Sequence, residues 1–326
     1  MAVTIKDVAK RANVAPSTVS RVISDNPAIS DATKEKVRQV MNEMNYRPNV
    51  NARNLVSQKA NAIGIVIPSE NEDFYENPFF LTALRGINDV AVEGGYSILL
   101  SIGDGIEERF KHVQQLVFEK RVDGLIFLYA NDEDPILKFA LKENVPFTII
   151  GSIDRPDIHF VDNNNYQAGK IVANQLTEMG YKKFHILGGN TEFRHITDRE
   201  RGIRDHIASD IVLTVDNDIG FTMEDGYNTY EKIADLDKDT ALIVTDETIA
   251  DGLILASCRI SNTFPIITYR TTGQHAFSFI DDNSYVDLNT VELGVQAMQN
   301  LEKQLLNNEI VPEQKFVDVS WVEVSS

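Results

Sequence analysis

The sequence predicts an α/β chain: an N-terminal head of three short helices, then two lobes built on doubly wound parallel sheets. Three observations carry that expectation. Apolar positions recur at a helical period in the first 60 residues, apolar runs of strand length alternate with amphipathic stretches from Ala62 onward, and the charge changes sign between the two regions. Residues 1–60 hold ten Lys or Arg against five Asp or Glu, so a chain of total charge −18 carries +5 on its head and −23 on the remainder. Such a distribution lets a polyanion bind the head while the body repels it; a chance cluster of solvated charges is the plainer alternative.

In the head, TIKDVAKRA puts Ile5, Val8, Ala9 and Ala12 on one stripe, with Lys6, Lys10 and Arg11 outside it. Thr4 is placed to cap this helix, with Asp7 three residues later. The pattern breaks at Asn13 and Val14 and restarts at Pro16, whose missing N–H costs nothing in a first turn. Val19, Val22 and Ile23 make the buried face of the second helix, which leaves Pro16, Ser17, Ser20 and Arg21 outside. The third segment, SDATKEKVRQVMNEMNY, turns Val37, Val40, Met41 and Met44 inward behind Ser30 as a cap. Val14, Ile29 and Tyr46 complete the core. Helix, three-residue turn, helix is the arrangement that seats a second helix in the major groove of DNA. Any two short helices share that outline; the basic charge, the small polar exposed face and the third helix favour the DNA reading.

In the body, AIGIVIP, SILLSIG, GLIFLYA and FTIIG are followed by FHILGG, IVLTVD, ALIVTD and PIITYR. Runs this apolar, without alternation, suit parallel strands buried on both faces. Amphipathic segments such as LTALRGINDVAVEGG and EERFKHVQQLVFEKR lie between them. Eight such units overfill one sheet, so the body divides near Phe160 to Asn163. The last helix, VELGVQAMQNLEKQLLNNE, is expected to return to the first lobe and FVDVSWVEV to the second. The expected organisation is a head over 1–46, a hinge over 47–58, a first lobe over 59–161 plus about 291–315, and a second lobe over 162–290 plus 316–326.

The composition, 43% hydrophobic and 25% charged in 326 residues, is that of a globular chain of two or three domains. MAVTIKDVAKR lacks the apolar core of a signal peptide, and no run of about 18 apolar residues appears, so a cytoplasmic location is expected. The single cysteine, Cys258, excludes an intrachain disulfide and a thiolate-rich zinc site. No GxxxxGK[ST], HExxH or GxSxG is present. His112, His159, His185, His195, His206 and His275 show no metal-ligand spacing. GDG at 103–105 and GG at 188–189 read as turns. No catalytic residue, metal or cofactor is expected; an enzyme acting on a sugar is the rival class.

TIKDVAKRANVAPSTVSRVIS followed by YRPNVNARNL closely resembles the head of the lactose-repressor (LacI/GalR) family of bacterial transcription regulators. That resemblance covers residues 3–56 specifically and the rest more loosely. It implies that Pro16 and Ser17 read base edges, that Arg21 adds a base contact, and that Thr18 and Ser20 lie beside phosphates. Thr4, Lys6, Ser30, Thr33 and Tyr46 join the expected DNA-binding set. Between head and body the resemblance implies a hinge helix that enters the minor groove. Leu55 would wedge a base step there, with Asn49, Ala52 and Arg53 beside it. A helix that short is marginal alone, which is why folding on DNA is expected and why a simple tether explains Leu55 poorly.

The lobes resemble the type I periplasmic-binding-protein fold, which the family uses as its effector domain. The resemblance implies a small sugar in the cleft between lobes and proposes Phe79, Phe80, Arg199, Phe221, Asp246 and Arg270 as its contacts. Ordinary packing is the plainer account of Phe79, Phe80 and Phe221, and a surface ion pair with Asp198 or Glu200 that of Arg199. Arg270 departs from the pattern: the family commonly has Asp or Asn there, and a guanidinium donates only. LYANDEDPILKF, PFTIIG, DNNNYQAG and VDLNTVELG look most like maltose-operon repressors of Gram-positive bacteria, which implies a maltose-type effector. Control by a protein corepressor, as in the related catabolite-control proteins, is the alternative. The expected partners are palindromic double-stranded operator DNA and a second copy of the chain, with no membrane. The chain ends soon after Trp321 without a leucine heptad, so a dimer is expected.

Overall fold

A computed structural model describes residues 3–47, 59–68, 77–101, 103, 105–189, 191, 193–217, 219–233, 235–260, 264–271, 284–307 and 311–324. Asn49, Ala52, Arg53 and Leu55 of the expected hinge lie outside the described residues, as does His275. The chain divides into two units, Met1–Ala60 and Asn61–Ser326.

The first unit holds α1 (Ile5–Ala12), α2 (Pro16–Ile23) and α3 (Asp31–Glu43). The Asp7 carboxylate accepts from the Thr4 backbone N–H at 2.9 Å and from its hydroxyl at 2.7 Å, which closes the start of α1. Asn13 ends that helix in the left-handed region (φ 52°), a conformation Asn tolerates. The chain then turns through three residues into Pro16. Val8, Ala9, Ala12, Val19, Val22, Val37 and Val40 form the core, with Ile5, Val14, Ile23, Ile29, Met41, Met44 and Tyr46 packed around it. Ser30 stands at the start of α3, but its hydroxyl pairs with that of Thr33 at 2.9 Å instead of capping a backbone N–H.

The second unit opens with β1 (Ala62–Val66), α4 (Pro78–Glu93), β2 (Ser97–Ser101), α5 (Ile106–Phe118), β3 (Gly124–Phe127), α6 (Pro135–Lys142), β4 (Phe147–Ile150) and β5 (Phe160–Asn163). It continues through α7 (Asn165–Glu178), β6 (Lys183–Leu187), α8 (Arg194–Arg204), β7 (Val212–Asp216), α9 (Met223–Ile233), β8 (Thr240–Val244), α10 (Glu247–Ile260), β9 (Ile266–Arg270) and β10 (Tyr285–Asp287). The last elements are α11 (Thr290–Leu306), β11 (Gln314–Val317) and β12 (Ser320–Val322). One sheet runs β11-β5-β4-β3-β1-β2 and the other β12-β10-β9-β8-β6-β7. Every pairing is parallel except β10 with β12. The first sheet packs its core on both faces, Ile63, Ile65, Ile126 and Val161 on one and Leu125, Phe127 and Ile149 on the other. Burial on both faces is why these strands carry no polar alternation.

All eight apolar runs form strands, and each lobe adds two that the sequence left unmarked. The strands β5 and β11 belong to the first sheet, so that lobe extends to Asn163 and includes Phe316 and Val317. The lobe boundaries expected at 161/162 and 315/316 therefore move two residues onward. The segment FVDVSWVEV is divided: its first two residues finish β11, and Val319 and Trp321 pack in the second lobe. The helix α11 lies on the first lobe, where Leu293, Ala297, Met298 and Leu301 enter its core. No helix among the described residues is long and apolar enough to cross a membrane.

Candidate functional site

On the head, Pro16, Ser17, Ser20 and Arg21 lie exposed along α2, with Thr18 half-buried. Thr4, Lys6 and Ser30 are exposed, and Thr33 and Tyr46 half-buried. Tyr46 packs on the core, which gives its ring a structural role. Arg11 pairs with Glu43, and Lys34 and Arg38 both pair with Asp25. Lys6 and Arg21 make no ion pair among the described residues. The open side of α2 thus offers hydroxyls and one guanidinium fork, the groups that read base edges and grip guanine.

In the second unit each sheet reverses its strand order beside its first strand, between β1 and β3 and between β6 and β8. Loops leaving neighbouring strands there part in opposite directions and open a crevice at the carboxyl ends. The two crevices face each other across a cavity of about 520 Å³. Pro68 follows β1 and Tyr129 follows β3; Phe193 lies between β6 and α8, and Thr245 and Asp246 follow β8. The cavity therefore takes walls from both lobes.

Arg199 is the centre of the second-lobe wall. Gly169 and Gly202 bring α7 and α8 together: a Cβ on either would fall about 2 Å from a backbone oxygen of the other helix. That close approach sinks Arg199 until it is 5% exposed. Its Nε donates to Asn165 Oδ1 at 3.0 Å, its Nη1 donates to the Thr245 carbonyl at 2.6 Å, and its guanidinium lies 4.3 Å over the Tyr269 ring. Asp198 and Glu200 instead serve Arg194, Arg201 and Arg204, so the surface ion pair is excluded. Burial lowers the Arg199 pKa, and the nearby Tyr269, Asp162 and Asp246 oppose that. Asp162 accepts from the Ser152 backbone N–H at 2.9 Å and from Asn165 Nδ2 at 3.2 Å. Asn165 thereby joins the end of β5 to Arg199.

Phe79, Phe80, Phe221 and Asp246 also line the cavity. Asn77, at the start of α4, donates to Asp246 across the cleft at 3.1 Å. Phe79 and Phe80 meet edge to face, and Phe193 contacts both Phe221 and Tyr129, with ring centroids 5.3 and 5.1 Å away. Burial pushes the carboxyls of Asp162 and Asp246 up, and Glu247 to about 7 although Thr271 donates to both its oxygens. His195 is pushed down to about 3 by burial and by Arg199, so it is neutral.

Arg270 does not belong to this set. Side chains alternate along β9, so Tyr269 and Thr271 line the cavity while Arg270, 1% exposed, turns away and pairs with Asp251 at 3.4 Å. The sequence reading missed Tyr269, Asp162, Asn165, Glu247 and Phe193. Period-two alternation at ITYRTT was the available signal for Tyr269 and Thr271. For Asp162 and Asn165 the signal was the segment DNNNYQAG, which was read only as family likeness and not as part of the cavity wall.

Comparison with known families agrees with both units. A model of the periplasmic binding proteins and sugar binding domain of the LacI family matches residues 60–306, and one of the bacterial regulatory proteins of the lacI family matches residues 4–49. The chain belongs to the LacI family. As a LacI-family member it is a DNA-binding transcriptional regulator, and its relatives are regulators, not enzymes. This LacI-family chain is 39% identical to the HTH-type transcriptional regulator MalR of Streptococcus pneumoniae, over 94% of each chain. It is 30% identical to catabolite control protein A of Staphylococcus xylosus, over 83% of each. Its fold matches that of the lac repressor dimer bound to operator and the anti-inducer ONPF, with a TM-score of 0.81 at 22% identity, covering 99% of this chain and 98% of that one.

Proposed function

We propose that this regulator is a homodimeric repressor of a palindromic operator, controlled by a neutral, maltose-type saccharide bound between its lobes. The observation that carries the reading is the cavity wall where Arg199, Asp162 and Asp246 stand beside the rings of Phe193 and Phe221. Sugars present hydroxyl edges and apolar ring faces, and such a wall meets both. Five carboxyl side chains (Glu133, Asp134, Asp162, Asp246 and Glu247) and three guanidiniums (Arg109, Arg194 and Arg199) line the cavity, a mixed set of acceptors and donors that suits sugar hydroxyls. The likeness to MalR supports maltose among neutral saccharides.

The mechanism is a two-state equilibrium. The head supplies sequence readout, with Ser17 and Arg21 on base edges, and the hinge residue Leu55 wedges the minor groove. Saccharide in the cleft favours the lobe arrangement that holds the two heads of the dimer at the wrong separation. Linkage then requires operator DNA to weaken saccharide binding by the same factor.

Thermal shift of the full chain against maltose, glucose and glucose 6-phosphate tests this. A saturating ligand at 100 times its Kd adds about 2.7 kcal/mol of stability. The reading expects a shift with maltose and none with glucose 6-phosphate; the reverse order would defeat it. Operator binding measured against a phosphorylated carrier protein separates control by a corepressor.

A further inference from the structure

We propose that Lys34 and Arg38 are positioning residues for base readout: by holding the Asp25 carboxylate against α3, they keep it from pairing with Arg21 of α2. This inference rests on the reading of Arg21 as a base contact.

The helix α2 ends in a left-handed cap. The Asp25 N–H donates to the Val22 carbonyl at 3.1 Å and the Asn26 N–H to the Arg21 carbonyl at 2.9 Å, with Asp25 itself at φ 51°. Gly or Asn is the usual residue at such a position, and a carboxylate there meets the negative end of the helix dipole. Asp25 is therefore a poor choice for the helix that it ends. The turn also folds the chain back on Arg21, whose carbonyl accepts the Ser24 hydroxyl at 3.2 Å as well as the Asn26 N–H. Asp25 follows Arg21 by four residues, a spacing at which acids and guanidiniums pair on helix surfaces.

The Asp25 carboxylate is taken up from the other side. Its Oδ1 lies 3.1 Å from Lys34 Nζ and 2.6 Å from Arg38 Nη2, and Lys34 also donates to the Asp25 carbonyl at 3.3 Å. Lys34 and Arg38 are one turn apart on α3, so both cations reach the same loop. The Lys34 side chain is only 12% exposed, which fixes its ammonium on Asp25. Lys34, and after it Arg38, holds the Asp25 carboxyl below the usual carboxylate range.

Arg21 is the one Lys or Arg between Arg11 and Lys34. It stays exposed on α2, with no ion pair among the described residues. An exposed ion pair between Arg21 and Asp25 would add little stability. Its effect on readout would be large, because guanidinium N–H groups that donate to a carboxylate are not available to guanine. Two α3 cations on one carboxylate oxygen prevent that pair, and so tie the packing of α3 to the recognition chemistry of α2.

The test is operator binding of the full chain by anisotropy at one fixed salt concentration, on a duplex selected from random sequence and on its single-base-pair variants. The pair at which Arg21→Ala loses discrimination is the one Arg21 reads, and wild type is expected to discriminate there about fivefold or more. Lys34→Met combined with Arg38→Met keeps both apolar stems and removes both charges. Discrimination at that pair is expected to fall below about twofold. Adding Asp25→Asn, which the left-handed backbone tolerates, is expected to restore it to within about twofold of wild type. Loss of charge by itself weakens binding to the operator and its variants alike, so the ratio reports on Arg21. Discrimination that the double variant keeps, or that Asp25→Asn fails to restore, overturns the proposal. Arg38→Met alone, at a half-exposed side chain, carries the same loss and rescue if the double variant does not fold. If Arg21→Ala discriminates every base pair as wild type does, the reading of Arg21 fails and the proposal with it; a failed rescue while Arg21→Ala loses discrimination sinks the proposal alone.

Discussion

The side-chain amide of Asn163 donates to the Leu288 carbonyl at 2.8 Å, and also reaches that of Val317 at 3.4 Å. Asn163 ends β5, Leu288 follows β10 and Val317 ends β11, so one side chain joins all three chain crossings between the lobes. Any pivoting of lobe against lobe turns about these crossings. A donor shared between two carbonyls keeps them together while leaving the strands free to twist.

Replacing Asn163 by Ala is expected to destabilise the body by about 1–3 kcal/mol, because two buried carbonyls lose their donor. Asn163→Asp should cost more, since a carboxylate only accepts and would face two carbonyl oxygens. Calorimetric unfolding of both variants checks the order; Asn163→Asp as stable as wild type would refute it.

Arg199→Met removes the donor that Asn165 and the Thr245 carbonyl orient. Maltose affinity should fall at least a hundredfold, with operator affinity in the absence of sugar unchanged. Such a variant represses in the presence of sugar. A reporter strain grown with and without maltose distinguishes this from simple misfolding, which abolishes repression.

The Glu247 carboxyl, held up to about 7 by burial, makes stability depend on pH. Its folded pKa exceeds the unfolded value near 4.5, so the folded chain binds more protons between those limits. Stability therefore falls as pH rises from about 4.5 through 7, by up to about 3 kcal/mol. His195, pushed down to about 3, acts in the opposite sense below its unfolded value of 6.5. The difference between wild type and Glu247→Gln isolates the carboxyl: the variant should gain on wild type steadily across that window. A constant difference from pH 4.5 to 8 would contradict it.

On the head, Arg21→Ala should cost about 1–3 kcal/mol of operator affinity and relax the preference at one base pair of each half-site. Leu55→Ala should weaken operator binding strongly while saccharide binding and the unfolding midpoint stay put. Anisotropy on a labelled operator and on single-substitution variants of it measures both.

Much of the fold is legible because burial on both faces writes uninterrupted apolar runs, as in AIGIV and ALIVT. The strands FVDN and YVD escape that signal: each is short and has a polar end where the chain turns toward the cleft or crosses between lobes. At the site, Arg199 and Phe221 are legible only through the family pattern. Arg109, which also lines the cavity, is hidden, since a buried arginine in an amphipathic helix looks like any solvated one until it is seen to donate to the Ile67 carbonyl. Arg270 shows the converse, where position along the chain suggested a ligand contact and the two-residue alternation of β9 turned the side chain away.

The central claim is that saccharide in the cleft and operator on the heads oppose each other. Operator affinity of the full chain, measured by anisotropy at one fixed salt concentration with and without saturating maltose, tests it most directly. A Kd at least tenfold weaker with maltose, matched by an equal weakening of maltose binding when operator is present, is the predicted result. An operator Kd that stays the same while maltose demonstrably occupies the protein would contradict the account.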